Sequence, residues 1–192
     1  MQLSRIVIAL VAVIVGMITV AESRNIATPA VKDSTILRST TSCPQCPESN
    51  CYKCTLGHNN TLVASSGGLA FLQSLVGFEM PVAGTEVESC TVQIPAFLTH
   101  QYPLTVIISS AAASAWDEDT VDGSNAPAAG NIITSVDVPA YNNLAAVDIS
   151  PACKAAVNGE FSIYFSAGSN RYEFWSKDSG NPAILHITTN DD

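Results

Sequence analysis

The sequence predicts an all-β protein, a jelly-roll-like antiparallel β-sandwich stapled by disulfides. Three observations carry this. About nine short segments rich in β-branched and aromatic residues recur between turn signals, at the spacing of roughly 8–12 residues that sandwiches show. No segment beyond the N-terminal apolar run keeps a helical period. Six cysteines stand in a chain whose N-terminus carries an export signal, and disulfides persist in the compartments such signals lead to.

The N-terminus is an address. Met1 to Arg5 is a short basic stretch, Ile6 to Val20 is apolar and uncharged, and Ala21 and Ser23 place small residues at −3 and −1 of a cleavage site after Ser23. Residues 1–23 therefore read as a signal peptide, because the run is shorter than the roughly 20 residues a spanning helix needs. Residues 24–192 read as one domain by length, secreted to the extracellular space or cell wall and free of the membrane once the signal is removed. With 17 acids against 8 bases and a net charge of −9, the chain is no nucleic-acid binder, since such binding rests on Lys and Arg neutralising phosphates. Anionic membrane surfaces are excluded on the same ground.

Taken in order, Arg24 to Thr41 is Ser/Thr-rich and partly alternating, with Ile36 and Leu37 marking a first strand. A cysteine-rich insertion, 43–54, follows with Cys43, Cys46, Cys51 and Cys54 in tandem C-x2-C units. In a zinc ribbon about 12–20 residues separate the two knuckles so that both reach one ion; here only Pro47 to Asn50 intervene. Two local disulfides are expected instead. A nested pairing (Cys43 with Cys54, Cys46 with Cys51) and a crossed one (Cys43 with Cys51, Cys46 with Cys54) both stay open, while pairing within a C-x2-C unit strains the short ring. Cys90 and Cys153 pair by elimination.

Asn59-Asn60-Thr61 is a glycosylation sequon with Asn59 as acceptor in a loop. Strand-like segments then run at Leu62 to Ala64, Leu69 to Phe71, Leu75 to Pro81, Val87 to Ile94, Leu104 to Ser109, Ile132 to Val138 and Ala145 to Ile149, with Gly67-Gly68 as a break and a helical turn at Cys153 to Val157. Asn158 to Thr189 is the clearest stretch. Phe161, Ile163 and Phe165 alternate with Ser162, Tyr164 and Ser166, predicting one buried face. Ala167 to Asn170 is a turn, Arg171 to Ser176 alternates again, Lys177 to Pro182 turns back, and Ala183 to Thr188 closes the run.

The acidic cluster Asp117 to Asp122 fails as an EF-hand. Counting from Asp117, the fifth position is Val121, the sixth Asp122 instead of Gly, and the twelfth Ala128 instead of Glu. It reads as a solvated loop; a structural calcium ion of another geometry is the one cofactor these carboxylates leave open. His58, His100 and His186 form no metal-spaced pair, and no Ser lies in a G-x-S-x-G elbow. An acid pair drawn from Asp117, Glu118 or Asp119 with Glu173 is the remaining hydrolytic option, and sequence supplies no distance for it. No catalytic constellation emerges, and an enzyme is not expected.

Several signals fall in a familiar order: Asp33; Leu62 with Ala64; Gly77-Phe78-Glu79-Met80-Pro81; Trp116-Asp117-Glu118; Val147-Asp148-Ile149-Ser150 with Asn158-Gly159; Phe174-Trp175-Ser176-Lys177-Asp178; and Pro182-Ala183-Ile184-Leu185-His186-Ile187. Together they resemble carbohydrate-binding module family 96, the DNRLRE-type domain. The resemblance implies a secreted jelly-roll sandwich that binds polysaccharide without cleaving it. The cysteine insertion is not part of that pattern. Alginate, an anionic ligand of such modules, calls for Lys and Arg, whereas this chain carries 17 acids against 8 bases, so a neutral cell-wall glycan is the expected partner.

Sugar binding needs aromatic faces with polar neighbours. Trp175 is the expected platform, because adjacent Phe174 must face the other way. Arg171 and Glu173 fall on Trp175's side, and Lys177 joins them if the strand continues. Trp116 is expected in the core, and Tyr102, Tyr141, Tyr164 and Tyr172 half-buried. The competing expectation is a structural or self-assembling surface protein, whose low-charge strands pair at their edges. The oligomeric state stays open.

Overall fold

The computed structural model describes residues 23–190, apart from 68–69, 99 and 157–158. The expected signal peptide lies outside them except for Ser23, and the first strand begins at Arg24, the residue after the expected cut. Residue 68 of the expected break, residue 69 of the expected strand that follows it, and residues 157–158 of the expected helical and Asn-Gly turns also lie outside.

Among the described residues eleven strands form: β1 (Arg24–Pro29), β2 (Lys32–Ser39), β3 (Thr61–Ala64), β4 (Ala70–Glu79), β5 (Val87–Gln93), β6 (Leu104–Ala111), β7 (Ala129–Val138), β8 (Val147–Asp148), β9 (Glu160–Ala167), β10 (Tyr172–Trp175) and β11 (Ile184–Thr189). One layer is a five-stranded sheet in the order β2-β4-β9-β6-β7. The other combines a four-stranded sheet, β1-β11-β5-β8, with the β3–β10 pair. Every pairing between these strands is antiparallel. Phe78, Val106, Phe161, Ile163 and Phe165 from the first layer meet Leu62, Val92, Phe174, Leu185 and Ile187 from the second in one core. This is the antiparallel sandwich that the alternating segments predict.

Three expectations are revised. β9 is buried on both faces, not one. It lies in mid-sheet, and the connection after β6 folds over the sheet's outer side, where Ile36, Leu75, Val121 and Tyr164 form a second cluster with Trp116 packed against it. Three of the polar side chains on that side are satisfied locally: Trp116 Nε1 donates to Ser162 Oγ (3.0 Å), Gln73 Nε2 donates to Ser166 Oγ (2.8 Å), and the Tyr164 hydroxyl donates to the Pro127 carbonyl. The strands also exceed nine, since β1 forms by pairing with β11 through residues too polar to advertise themselves. The helical turn is α1, Ser150–Lys154, three residues earlier than expected, with Pro151 at its start, where a missing N–H costs nothing.

The cysteine insertion adopts the crossed pairing, Cys43–Cys51 and Cys46–Cys54, and the third disulfide is Cys90–Cys153. Two successive 3-10 turns, Pro47–Ser49 and Cys51–Lys53, bring the cysteines into register. The clasp packs Cys46, Cys51 and Cys54 against Leu37 of β2. It is a small satellite core that widens the sandwich without entering it.

Candidate functional site

β10 is short because both its flanks are committed. On one side it pairs with β3, Trp175 opposite Thr61 and Glu173 opposite Val63. On the other, Leu98 N–H donates to the Glu173 carbonyl (2.8 Å), and Phe97 bridges to Phe174. Alternation then sorts the side chains. Tyr172 and Phe174 are buried, whereas Arg171, Glu173 and Trp175 point outward, with Trp175 38% exposed.

The polar pair beside Trp175 is held in place. Thr61 Oγ1 donates to Glu173 Oε1 (2.6 Å), and Arg171 bonds the other oxygen at 3.1 Å. Arg171 to Trp175 spans about 13 Å at the usual strand rise. Beyond Arg171 the same face runs into a pocket of about 250 Å³ lined by His100, Gln101, Tyr102, Leu104, Asn170 and Arg171. Its wall is rigid: both His100 ring nitrogens contact carbonyls, those of Tyr102 (3.1 Å) and Asn142, and the Tyr141 N–H donates to the His100 carbonyl.

Tyr102 is 65% exposed and Tyr141 77% exposed, against the expectation that both are half-buried. Tyr102 sits on a connection that no pattern of residues places beside β10, and Tyr141 on one whose backbone bonds His100. A Tyr in a polar, turn-rich segment was the available signal. Tyr164 and Tyr172 are instead fully buried, each with its hydroxyl donating to a carbonyl. Trp116 is half-buried, its ring under the Lys32 ammonium at 4.8 Å.

Lys177 does not join this face. The strand ends at Trp175, and Lys177 opens a 3-10 turn, Lys177–Ser179. Its ammonium bonds Glu118 Oε2 (2.8 Å) and Asp178 Oδ1 (2.9 Å). Glu118 Oε1 accepts the Asp33 N–H (2.7 Å), and Asp33 Oδ2 accepts the Lys177 N–H (2.7 Å). His58 contacts Asp119 and Asp178 from the clasp side. This network ties β2, the loop before β3, the acidic loop and the turn after β10 together. Donor atoms of His58, Glu118 and Asp178 lie within 4.8 Å of one another, but the Lys177 ammonium already supplies the cation between the two carboxylates. The acids Asp117 and Asp122 are spent on turn closure: Asp117 Oδ1 accepts from Asp119 and Thr120, and Asp122 Oδ1 from Ser124 and Asn125.

Burial pushes the Asp33 carboxyl up to about 7, and the neighbouring Glu118 and Asp178 charges add to this against the Lys177 bonds; its Oδ1 has no partner. An acid whose folded pKa exceeds its ordinary 3.8 binds its proton more tightly when folded. Its contribution is therefore full below pH 3.8 and lost as pH rises through about 7. His58, raised by its Asp119 bond, acts in the same direction: its stabilisation is present below 6.5 and lost as pH rises through the folded value. Asp148, lowered chiefly by its Ser150 hydrogen bonds, loses stability only as pH falls below 3.8. The protein is expected to be more stable, and to melt higher, at pH 5 than at pH 8, with Asp33 contributing at most about 3 kcal/mol over that range. Asp33→Asn, which keeps an acceptor for the Lys177 N–H, should remove most of that difference in thermal melts at the two pH values.

A larger groove of about 630 Å³ lies elsewhere, between the end of β6, β7 and α1, and is lined by Ala111 to Ala115, Ile132, Ile133, Ala152 and Ala155 among others. Its lining is largely alanine and isoleucine with a few polar groups, and its one aromatic ring, Phe161, is only 5% exposed.

Compared with known proteins, residues 53–189 match the model of carbohydrate-binding module family 96. β1, β2 and the first three clasp cysteines precede the match, although β1 and β2 are paired into the sheets. A protein of Arthroderma benhamiae described as an "Uncharacterized secreted protein" is 58% identical over 160 residues, which cover 82% of each chain.

Proposed function

The chain belongs to carbohydrate-binding module family 96, and from that premise we propose that it is a secreted, non-catalytic module that binds a neutral polysaccharide or cell-wall glycan along the outward face of β10. The observation that carries this is the row Trp175, Glu173, Arg171 and then Tyr102: an open indole and an open phenol at the two ends of a fixed pair of hydrogen-bonding groups. Rings take the CH faces of sugars, and the carboxylate and guanidinium take hydroxyls. The length of the row fits an internal stretch of chain better than a chain end.

Charge favours a neutral polymer. Arg171 is compensated by Glu173, and the net charge of −9 repels a polyanion. Absence of catalysis is supported by the state of the carboxylates. Glu173 is bound by Thr61 and Arg171, and Glu118 by Asp33 and Lys177, so neither is free to act as acid or base. Secretion is supported by the name of the Arthroderma relative and by six cysteines joined in three disulfides.

The test is retention of the purified protein by insoluble chitin, β-glucan, cellulose and mannan, with soluble alginate and pectin run in affinity gels. Retention by one neutral polymer without product release is expected. Tyr102→Ala should weaken binding to a long chain about fivefold and leave a disaccharide unaffected, as isothermal titration would show.

Self-assembly is the second reading, favoured by β7. It is a sheet edge of ten residues, exposed along most of its length, with Ile132 66% exposed and Asp137 its single charge. Such an edge is a template for pairing with a second copy. Sizing across a concentration series decides it, and a monomer at every concentration removes it.

A further inference from the structure

We infer that Asn59 carries an N-linked glycan that lies over Trp175 and screens the platform. The inference rests on the reading of Trp175 as a sugar contact and adds a means of regulating it.

Asn59 is exposed and stands in the loop that leads into β3. Thr61, the third residue of its sequon, is the partner of Trp175 in the β3–β10 pair. The pairing continues past the end of β10: the Ser176 N–H donates to the Asn60 carbonyl (3.0 Å), and Ser176 Oγ donates to the Asn59 carbonyl (2.6 Å). The backbone of Asn59 is thus fixed against the residue that follows Trp175. Asn59 stands two residues before Thr61, the partner of Trp175, which is one diagonal step along the pairing, about 7–8 Å between backbones. A sugar on the Asn59 side chain falls within reach of the ring, whose face takes the CH groups of N-acetylglucosamine. Tethering makes that contact intramolecular, at millimolar effective concentration.

The modification needs a donor that the secretory pathway supplies, a polyprenyl-diphosphate oligosaccharide. The Asn59 amide nitrogen forms a C–N bond to the anomeric carbon, the anomeric C–O bond breaks, the polyprenyl diphosphate leaves, and the amide proton passes to a base. No oxidant or reductant takes part.

The experiment compares the full chain secreted from a glycosylating yeast with Asn59→Gln made in the same host, and with wild type treated with peptide N-glycosidase. Intact mass reads occupancy, and acrylamide quenching of tryptophan fluorescence reads access to Trp175, with Trp175→Phe giving the Trp116 contribution. The expected result is occupied Asn59 and at least about twofold stronger quenching of Trp175 in both unglycosylated forms. An unmodified Asn59, or a modified one with unchanged Trp175 quenching, overturns the inference. Neither readout needs a polysaccharide, so failure of the platform reading shows separately, as absence of retention in glycosylated and unglycosylated forms alike.

Discussion

Trp175→Ala is expected to weaken polysaccharide binding about 30-fold, the equivalent of about 2 kcal/mol, the range of a central aromatic contact. Stability should fall by only about 1 kcal/mol, because the indole is partly open and the backbone of β10 is held by β3 and by Leu98 independently of it. Phe174→Ala provides the contrast. Phe174 is fully buried, with its ring edge-on to Phe165 at 5.5 Å and stacked with Tyr172 at 6.3 Å. Its removal should cost about 3–5 kcal/mol. One neighbour is thus expected to govern binding and the other folding. A titration of both variants alongside their chemical unfolding measures this. Equal loss of stability in the two would mean that Trp175 serves the core.

The second large effect is expected from Cys90→Ala/Cys153→Ala. Both sulfurs are buried, one in β5 and the other in α1, and the bond spans a separation of 63 residues that includes β6, β7 and β8. Closing a loop of that length contributes about 4 kcal/mol in the chain-entropy model. In a chain of this size that lowers the melting temperature by about 10 °C. The fold should survive, since Cys90 N–H also bonds Ser150 Oγ (2.9 Å) and its carbonyl accepts the Ile149 N–H (2.9 Å). Opening Cys43–Cys51 should cost less, about 2–3 kcal/mol, because its separation is 8 residues and it lies in the satellite clasp. Calorimetry of the two double variants compares them. A larger loss from the clasp would mean that the satellite clasp, and not the Cys90–Cys153 bond, carries the greater share of stability, contrary to the packing.

The parts of the fold that announce themselves in sequence are those where one rule acts alone. In β10 the alternation of Tyr172 and Phe174 with Glu173 and Trp175 is uncontested, and burial follows it residue by residue. β9 obeys the same alternation, yet the second face is covered by a connection whose Trp116 lies 46 residues before Ser162, and period-2 patterning holds no information about such a cover. β1 is silent for a related reason: Arg24, Asn25 and Thr28 become strand because β11 offers an unpaired edge, not through any propensity of their own.

The site divides in the same way. Trp175, Glu173 and Arg171 are legible because they alternate along β10 and the residue just before it. Tyr102 reaches the face through the packing of its connection around His100, whose carbonyl accepts the Tyr141 N–H, a contact between distant segments. Lys177 was legible as a cation but not as a clamp. Its partners Glu118 and Asp33 lie far away in sequence, and a strand reading of Lys177 fails where Ser176 caps the following turn.

The most direct test of the central claim is a map of amide and indole shifts on titration with an oligosaccharide of the retained polymer. Changes concentrated at the Trp175 indole N–H, at residues 171–175 and at residues 100–102 are the predicted result. Changes confined to the groove formed by residues 110–115 and 151–156, with the Trp175 signal unmoved, would contradict it.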